Sequence, residues 1–119
     1  MAMLAGFLAL ASGSAGTAQE ACAEPPVPAP LDGTQANEEQ MRAAAAAARD
    51  FIAQSDVYQG CLANAFDAAR TQAATDGKPL DPSLETTLKS RTDANEKVKQ
   101  KVGIEINIAI DAYKKTHLK

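Results

Sequence analysis

The chain has 119 residues, with 12 basic and 15 acidic side chains, a net charge of −3, no tryptophan and 26 alanines. That length suits one domain and excludes a second, and because alanine buries little area the 45% hydrophobic fraction overstates the material for a core. One histidine and two cysteines leave few of the side chains from which catalytic or metal sites are built.

Residues Met3 to Ala11 form an apolar run, followed by the small residues Ser12-Gly13-Ser14-Ala15-Gly16-Thr17-Ala18. The pattern has the form of a signal-peptidase site, so residues 1–18 are read as a signal peptide, although no Lys or Arg precedes the run. At about ten residues the run is half of the ~20 a membrane span needs. The mature chain is therefore expected to begin near Gln19, to lie in the periplasm or be secreted, and to make no stable membrane insertion.

An exported chain meets oxidising conditions, so Cys22 and Cys61 are expected to form one disulfide. Residues 19–33 read as a Pro-rich arm, because Pro25, Pro26, Pro28 and Pro30 exclude regular helix and favour an extended polyproline-like path. Asp32-Gly33 marks the turn at its end.

The helical hairpin domain is placed at 34–119, with helices at about 37–75 and 82–116. Asn37 and Gln40 have the spacing of a capping box, and the alanine run Ala43 to Ala48 is the best helix-forming composition available. Met41, Ala44, Ala48, Phe51, Ser55, Tyr58, Leu62, Ala65, Phe66, Ala69 and Ala73 recur at 3-to-4 spacing on one stripe, and Asp76-Gly77 ends it. Asp81 as cap with Pro82 at the first helical position opens the second helix. Its stripe is Leu84, Leu88, Asn95, Val98, Val102, Ile106, Ala109 and Tyr113. Four acid-before-base pairs at i,i+4, Glu38 with Arg42, Glu85 with Lys89, Asp93 with Lys97 and Asp111 with Lys115, support both helices. The alternation of Ile104, Ile106, Ile108 and Ile110 has the period of a strand. A lone strand would leave its backbone groups unpaired, so helix is expected, with a strand-swapped dimer as the alternative.

The expected fold is all-α, an antiparallel two-helix hairpin of long helices with the N-terminal Pro-rich arm tied back by one disulfide. Counting outward from the Gly77 to Leu80 turn puts Leu62 opposite Asn95 and Phe51 opposite Ile106, with the alanine run beside Ile110 and Tyr113. Asn95 and Arg91 read as polar residues that fix register or partner choice. Ile104 and Ile108 fall away from the main stripe and need cover. The arm, with Val27 and Leu31 turned inward, is the candidate cover, in competition with a second copy of the chain.

Residues 19–81 carry ten acids and four bases, whereas 82–119 carry five acids and eight bases, so the two helices attract each other. The lysines of the second half lie on several faces without aromatic interleaving, which argues against nucleic acid. His117 is the single histidine and the cysteines are committed to each other, so no metal, no cofactor and no catalytic residues are expected.

Cys22 with Pro25 and Pro28, the segment Asp56-x-Tyr58-x-x-Cys61-Leu62, Asp81-Pro82, Asn95 and Ile110-x-Ala112-Tyr113-Lys114 together resemble small exported bacterial helical-hairpin proteins with a single cysteine pair. The resemblance spans most of the mature chain, rests on spacing and implies no particular chemistry. Spy-type chaperones are similar in size and architecture, but their Leu-Thr-x-x-Gln repeats are absent. The expected function is a non-enzymatic exported protein that binds a protein partner in the cell envelope, with a homodimer expected from the thin core. The alternatives are a holdase-type periplasmic chaperone and a minimal hydrolase or transferase. Val27, Leu31, Ile104 and Ile108 are the candidate interaction face.

Overall fold

The computed structural model describes residues 22–118, and the expected signal peptide lies outside the described residues. Two helices account for most of the described chain, α1 (Glu38–Asp76) and α2 (Pro82–His117). At 39 and 36 residues they run about 58 and 54 Å at 1.5 Å per residue. The isoleucine alternation lies wholly within α2, so the strand period is incidental there.

Each helix starts where its chemistry dictates. The Gln40 amide donates to Asn37 Oδ1 at 2.8 Å and the Asn37 amide donates to Gln40 Oε1 at 2.9 Å, which satisfies two otherwise unpaired groups at the head of α1. Glu38 and Glu39 in the first turn complement the helix dipole, and Arg42 closes on Glu38 at 2.6 Å. Gly77 ends α1 at φ 63°, a left-handed conformation that glycine adopts without strain, and the Lys78 amide donates back to the Ala73 carbonyl. Asp81 caps α2 through the Ser83 amide at 2.9 Å, with Pro82 in the first turn.

Packing follows a seven-residue repeat. On α1 the buried residues Met41, Ala48, Ser55 and Leu62 stand seven apart, as do Phe51, Tyr58 and Ala65. On α2 the buried residues Leu88, Asn95, Val102 and Ala109 do the same. The repeats run in opposite directions and meet in layers. Leu62 shares a cluster with Leu88, Ser55 bonds Asn95, Ala48 packs with Val102, and Met41 with Ala109. A strict heptad of this kind is the pattern of an antiparallel coiled coil with left-handed winding.

The register differs from the expectation by about two turns. Leu62 lies beside Leu88 rather than Asn95, and the alanine run reaches Val102 rather than only Ile110 and Tyr113. The cause is the connection. After Gly77 the chain doubles back along α1, so that Lys78 and Leu80 line a groove with Asp67, Arg70, Thr71 and Ala74 before Asp81 caps α2. The residue before a proline disfavours helix, which delays α2 further. The last two turns of α1 therefore overhang the start of α2.

Candidate functional site

The arm is held at both ends. Near its start, Cys22 is bonded to Cys61 of α1 with their Cα atoms 5.7 Å apart. The Arg91 guanidinium of α2 donates to the Cys22 carbonyl at 3.2 Å and to the Tyr58 hydroxyl at 3.0 Å, lying over the Tyr58 ring. Cys22 is thus fixed to α1 by a covalent bond and to α2 by a charge-assisted hydrogen bond. Near its end, the Asp32 carboxylate accepts from the Thr34 amide and hydroxyl at 2.9 and 2.7 Å, which holds its carboxyl below the ordinary aspartate value. Gly33 is buried in that turn against α2, where an added Cβ would stand 1.9 Å from the Ala109 carbonyl oxygen. Ala36 and Leu31 close the end of the hairpin over Met41 and Ala109.

Between these anchors Pro28 to Leu31 lie over the seam of the two helices, lined by Ala44, Ala48, Val102, Ile106 and Ala109. Alanines leave a depression that a third strand can fill. The arm therefore runs where the seam is shallowest in side chains.

That path corrects the expected cover of the isoleucines. Ile104 and Ile108 are 60% and 62% exposed, and Val27, expected to turn inward, is 58% exposed. The helical angle explains the difference: at about 100° per residue, positions two and six beyond Val102 stand roughly 200° and 240° from it, on the outside of α2. A strand lying in the seam does not reach them. Leu31 alone of the four turns inward, half-buried against the cluster of Ala36, Met41 and Ala109.

A second feature is a polar layer at mid-hairpin. Asn95 is fully enclosed, with its amide nitrogen donating to Ser55 Oγ at 3.3 Å and its oxygen accepting from Gln59 Nε2 at 2.9 Å. Gln59 also donates to Glu96, and Lys99 bridges Glu96 and Asp56 at 3.2 and 2.8 Å. The Gln59 amide, then Lys99 and Gln100, hold the Glu96 carboxyl below its ordinary value. Hydrogen bonds to Asp56 and then Glu96 raise the Lys99 ammonium. The chain of contacts runs from the enclosed interior to the surface and joins the two helices at one level.

Sequence reasoning singled out Cys22, Cys61, Asn95 and Arg91 but missed the hold of Arg91 on the arm and the parts played by Gly33 and Val57. Arg91 was visible as a break in the apolar stripe, yet its hold on Cys22 depends on the register. Gly33 was visible as a turn residue, whereas its close approach to α2 carries no local signal. Val57, 74% exposed on α1, borders an apolar groove with Ala53 and the arm residues Pro25 and Pro26, alongside the disulfide. His117 stacks on Tyr113 with ring centroids 4.2 Å apart at the exposed end of α2.

Comparisons of the chain with protein-family models, with curated proteins and with solved structures find no match in any of the three.

Proposed function

We propose that the protein is a non-enzymatic exported helical protein, in the periplasm or secreted, that binds a protein partner through the outer face of α2. The observation that supports this reading is the pair Ile104 and Ile108, one turn apart, both more than half exposed, and the two exposed large hydrophobic side chains of α2. Large apolar side chains held in water in adjacent turns are the anchors an interface uses. The Cys22–Cys61 bond is compatible with an exported chain, and no helix among the described residues is long and apolar enough to cross a membrane.

The test is a pull-down from an envelope extract with wild-type protein and the Ile104→Asp, Ile108→Asp double variant. Both side chains are exposed, so the variant is expected to melt like wild type and to lose the partner. Equal retention of the same partner by both proteins would overturn the reading. Sedimentation of the two proteins separates a foreign partner from a second copy: a wild-type dimer that becomes a monomer in the variant assigns the face to self-association. Intact mass of the exported product tests the location, with a chain beginning near Gln19 expected.

A further inference from the structure

The two cysteines of the disulfide sit in different surroundings. Cys22 is buried at 5% exposure, whereas Cys61 is half-buried. An apolar groove of about 510 Å³, open to solvent, runs between arm residues Ala23 to Pro26 and the α1 residues Ala53 and Val57, and both cysteines line it. Of the two cysteines lining the groove, Cys61 is the more exposed residue. On the other side, the carbonyl of Cys22 is 3.2 Å from a guanidinium nitrogen of Arg91, and the Tyr58 hydroxyl fixes that guanidinium in place. A permanent positive charge is thus held beside Cys22.

Thiol–disulfide exchange needs an attackable sulfur and a leaving sulfur that tolerates negative charge, and a cation beside a cysteine favours its thiolate. We propose that Cys22–Cys61 is an exchange site for an external thiol, attacked at Cys61 Sγ, with Cys22 as the leaving group beside Arg91. In that step the thiolate sulfur of the attacking thiol bonds to Cys61 Sγ, the Cys22–Cys61 bond breaks, and its electron pair goes to Cys22 Sγ. The products are a mixed disulfide on Cys61 and a Cys22 thiolate, and no other oxidant or reductant is consumed. The arm then keeps its anchor at the Asp32 to Ala36 end and, at Cys22, only the hydrogen bond from Arg91. The covalent tie that holds residues 22–26 against Ala53 and Val57 of α1 is then gone.

The inference is independent of the partner face on α2 and is tested with wild-type full-length protein and reduced glutathione. The reaction is quenched with an alkylating agent and mapped by peptide mass. The expected result is glutathione on Cys61 and alkylation on Cys22, at a rate proportional to glutathione concentration in the folded protein. Glutathione predominantly on Cys22, or a rate independent of glutathione and equal to that of unfolding, would overturn the proposal. Arg91→Gln supplies a second reading with opposed signs. If Arg91 only pins the arm, its loss loosens the bond and speeds cleavage. If it stabilises the departing thiolate, cleavage slows, because a thiol of higher pKa leaves more slowly, and Arg91→Lys restores the rate. Unchanged or faster cleavage in Arg91→Gln overturns the role given to Arg91.

Discussion

Replacing Gly33 by alanine tests the docking of the arm most directly, because the obstacle is backbone. The new Cβ would lie 1.9 Å from the Ala109 carbonyl oxygen, 2.8 Å from its carbon and 3.0 Å from the Tyr113 nitrogen. Ordinary contact begins near 3.4 Å, so a retreat of about 1.5 Å is required. The atoms in the way are backbone of the last turns of α2, hydrogen-bonded within the helix, so the turn that carries Gly33 is the part that must lift. Lifting it draws Leu31 and Ala36 away from Met41 and Ala109. Partial exposure of one leucine and one alanine costs about 2 to 3 kcal/mol on the usual area scale. Alanine returns ~0.4 to 1 kcal/mol by restricting the unfolded chain. A net loss of about 1 to 2 kcal/mol is expected, or on the order of 5 to 15 °C in melting temperature for a domain of this size. Thermal unfolding followed by circular dichroism measures the shift, and protease cleavage within residues 23–33 should rise with it. The same substitution at Gly60 and Gly103 provides the control, since both lie within helices and nothing stands within 4 Å of an added Cβ. Each should stabilise by roughly 0.5 to 1 kcal/mol. A Gly33→Ala protein melting at or above wild type would refute the close approach of arm and helix.

Cys22→Ser opens a covalent loop with a sequence separation of 39 residues, which the chain-entropy relation sets at about 4 kcal/mol, and denaturant unfolding under oxidising conditions should show a loss on that scale. Ser55→Ala removes the hydroxyl that accepts from the enclosed Asn95 amide and should cost about 1 to 3 kcal/mol, whereas Ser55→Ala combined with Asn95→Leu should recover most of it, a coupling read from a double-mutant cycle. Glu96 is held below its ordinary value of 4.5, so its contribution to stability is full above that pH and is lost as pH falls through the depressed folded value; melting temperatures measured down an acid series should fall less steeply in Glu96→Gln. Lys99 has the opposite sign, its folded value being raised, so its contribution persists through neutral pH and is lost only in alkali above 10.5.

What could be read from the residues and what could not divide along a physical line. Caps and stripes are local: Asn37 with Gln40, Asp81 with Pro82 and the 3-to-4 spacing from Met41 to Ala65 each specify a helix within a turn or two of themselves. The cysteine pair allowed one connectivity. Register was not local. It depends on how far the chain doubles back after Gly77, and Lys78, Pro79 and Leu80 contain nothing that states the distance. Every contact between helices inherits that unknown, which is why Leu62 was set against Asn95. The isoleucines show a subtler limit. Their position off the main stripe was readable, but their cover depended on whether a proline-rich arm settles over a shallow seam or along the outer face of one helix.

The layers explain why the seam prevails. A two-helix hairpin has a core only one layer deep, and its three apolar clusters are Cys22, Tyr58, Leu62 and Leu88; Ala48, Phe51 and Val102; and Ala36, Met41 and Ala109. Two of the three contain a residue of the arm or the turn that follows it. The middle cluster has none among its buried members, but it contains Ala48, over which Pro28 to Leu31 pass. Between the first cluster and the middle one lies the Ser55–Asn95 layer, whose hydrogen bonds are satisfied only in the observed register. Sliding α2 by one heptad would bring Asn95 level with Ala48 or Leu62, neither of which offers a side-chain hydrogen-bonding group. It would also separate Arg91 from Tyr58 and from the Cys22 carbonyl. A buried amide that loses its partner costs about 1 to 3 kcal/mol, a large share of the stability such a thin core provides. Asn95 thus fixes the alignment of the helices, that alignment places Arg91 against the arm, and the arm completes the apolar layers that two helices alone leave open.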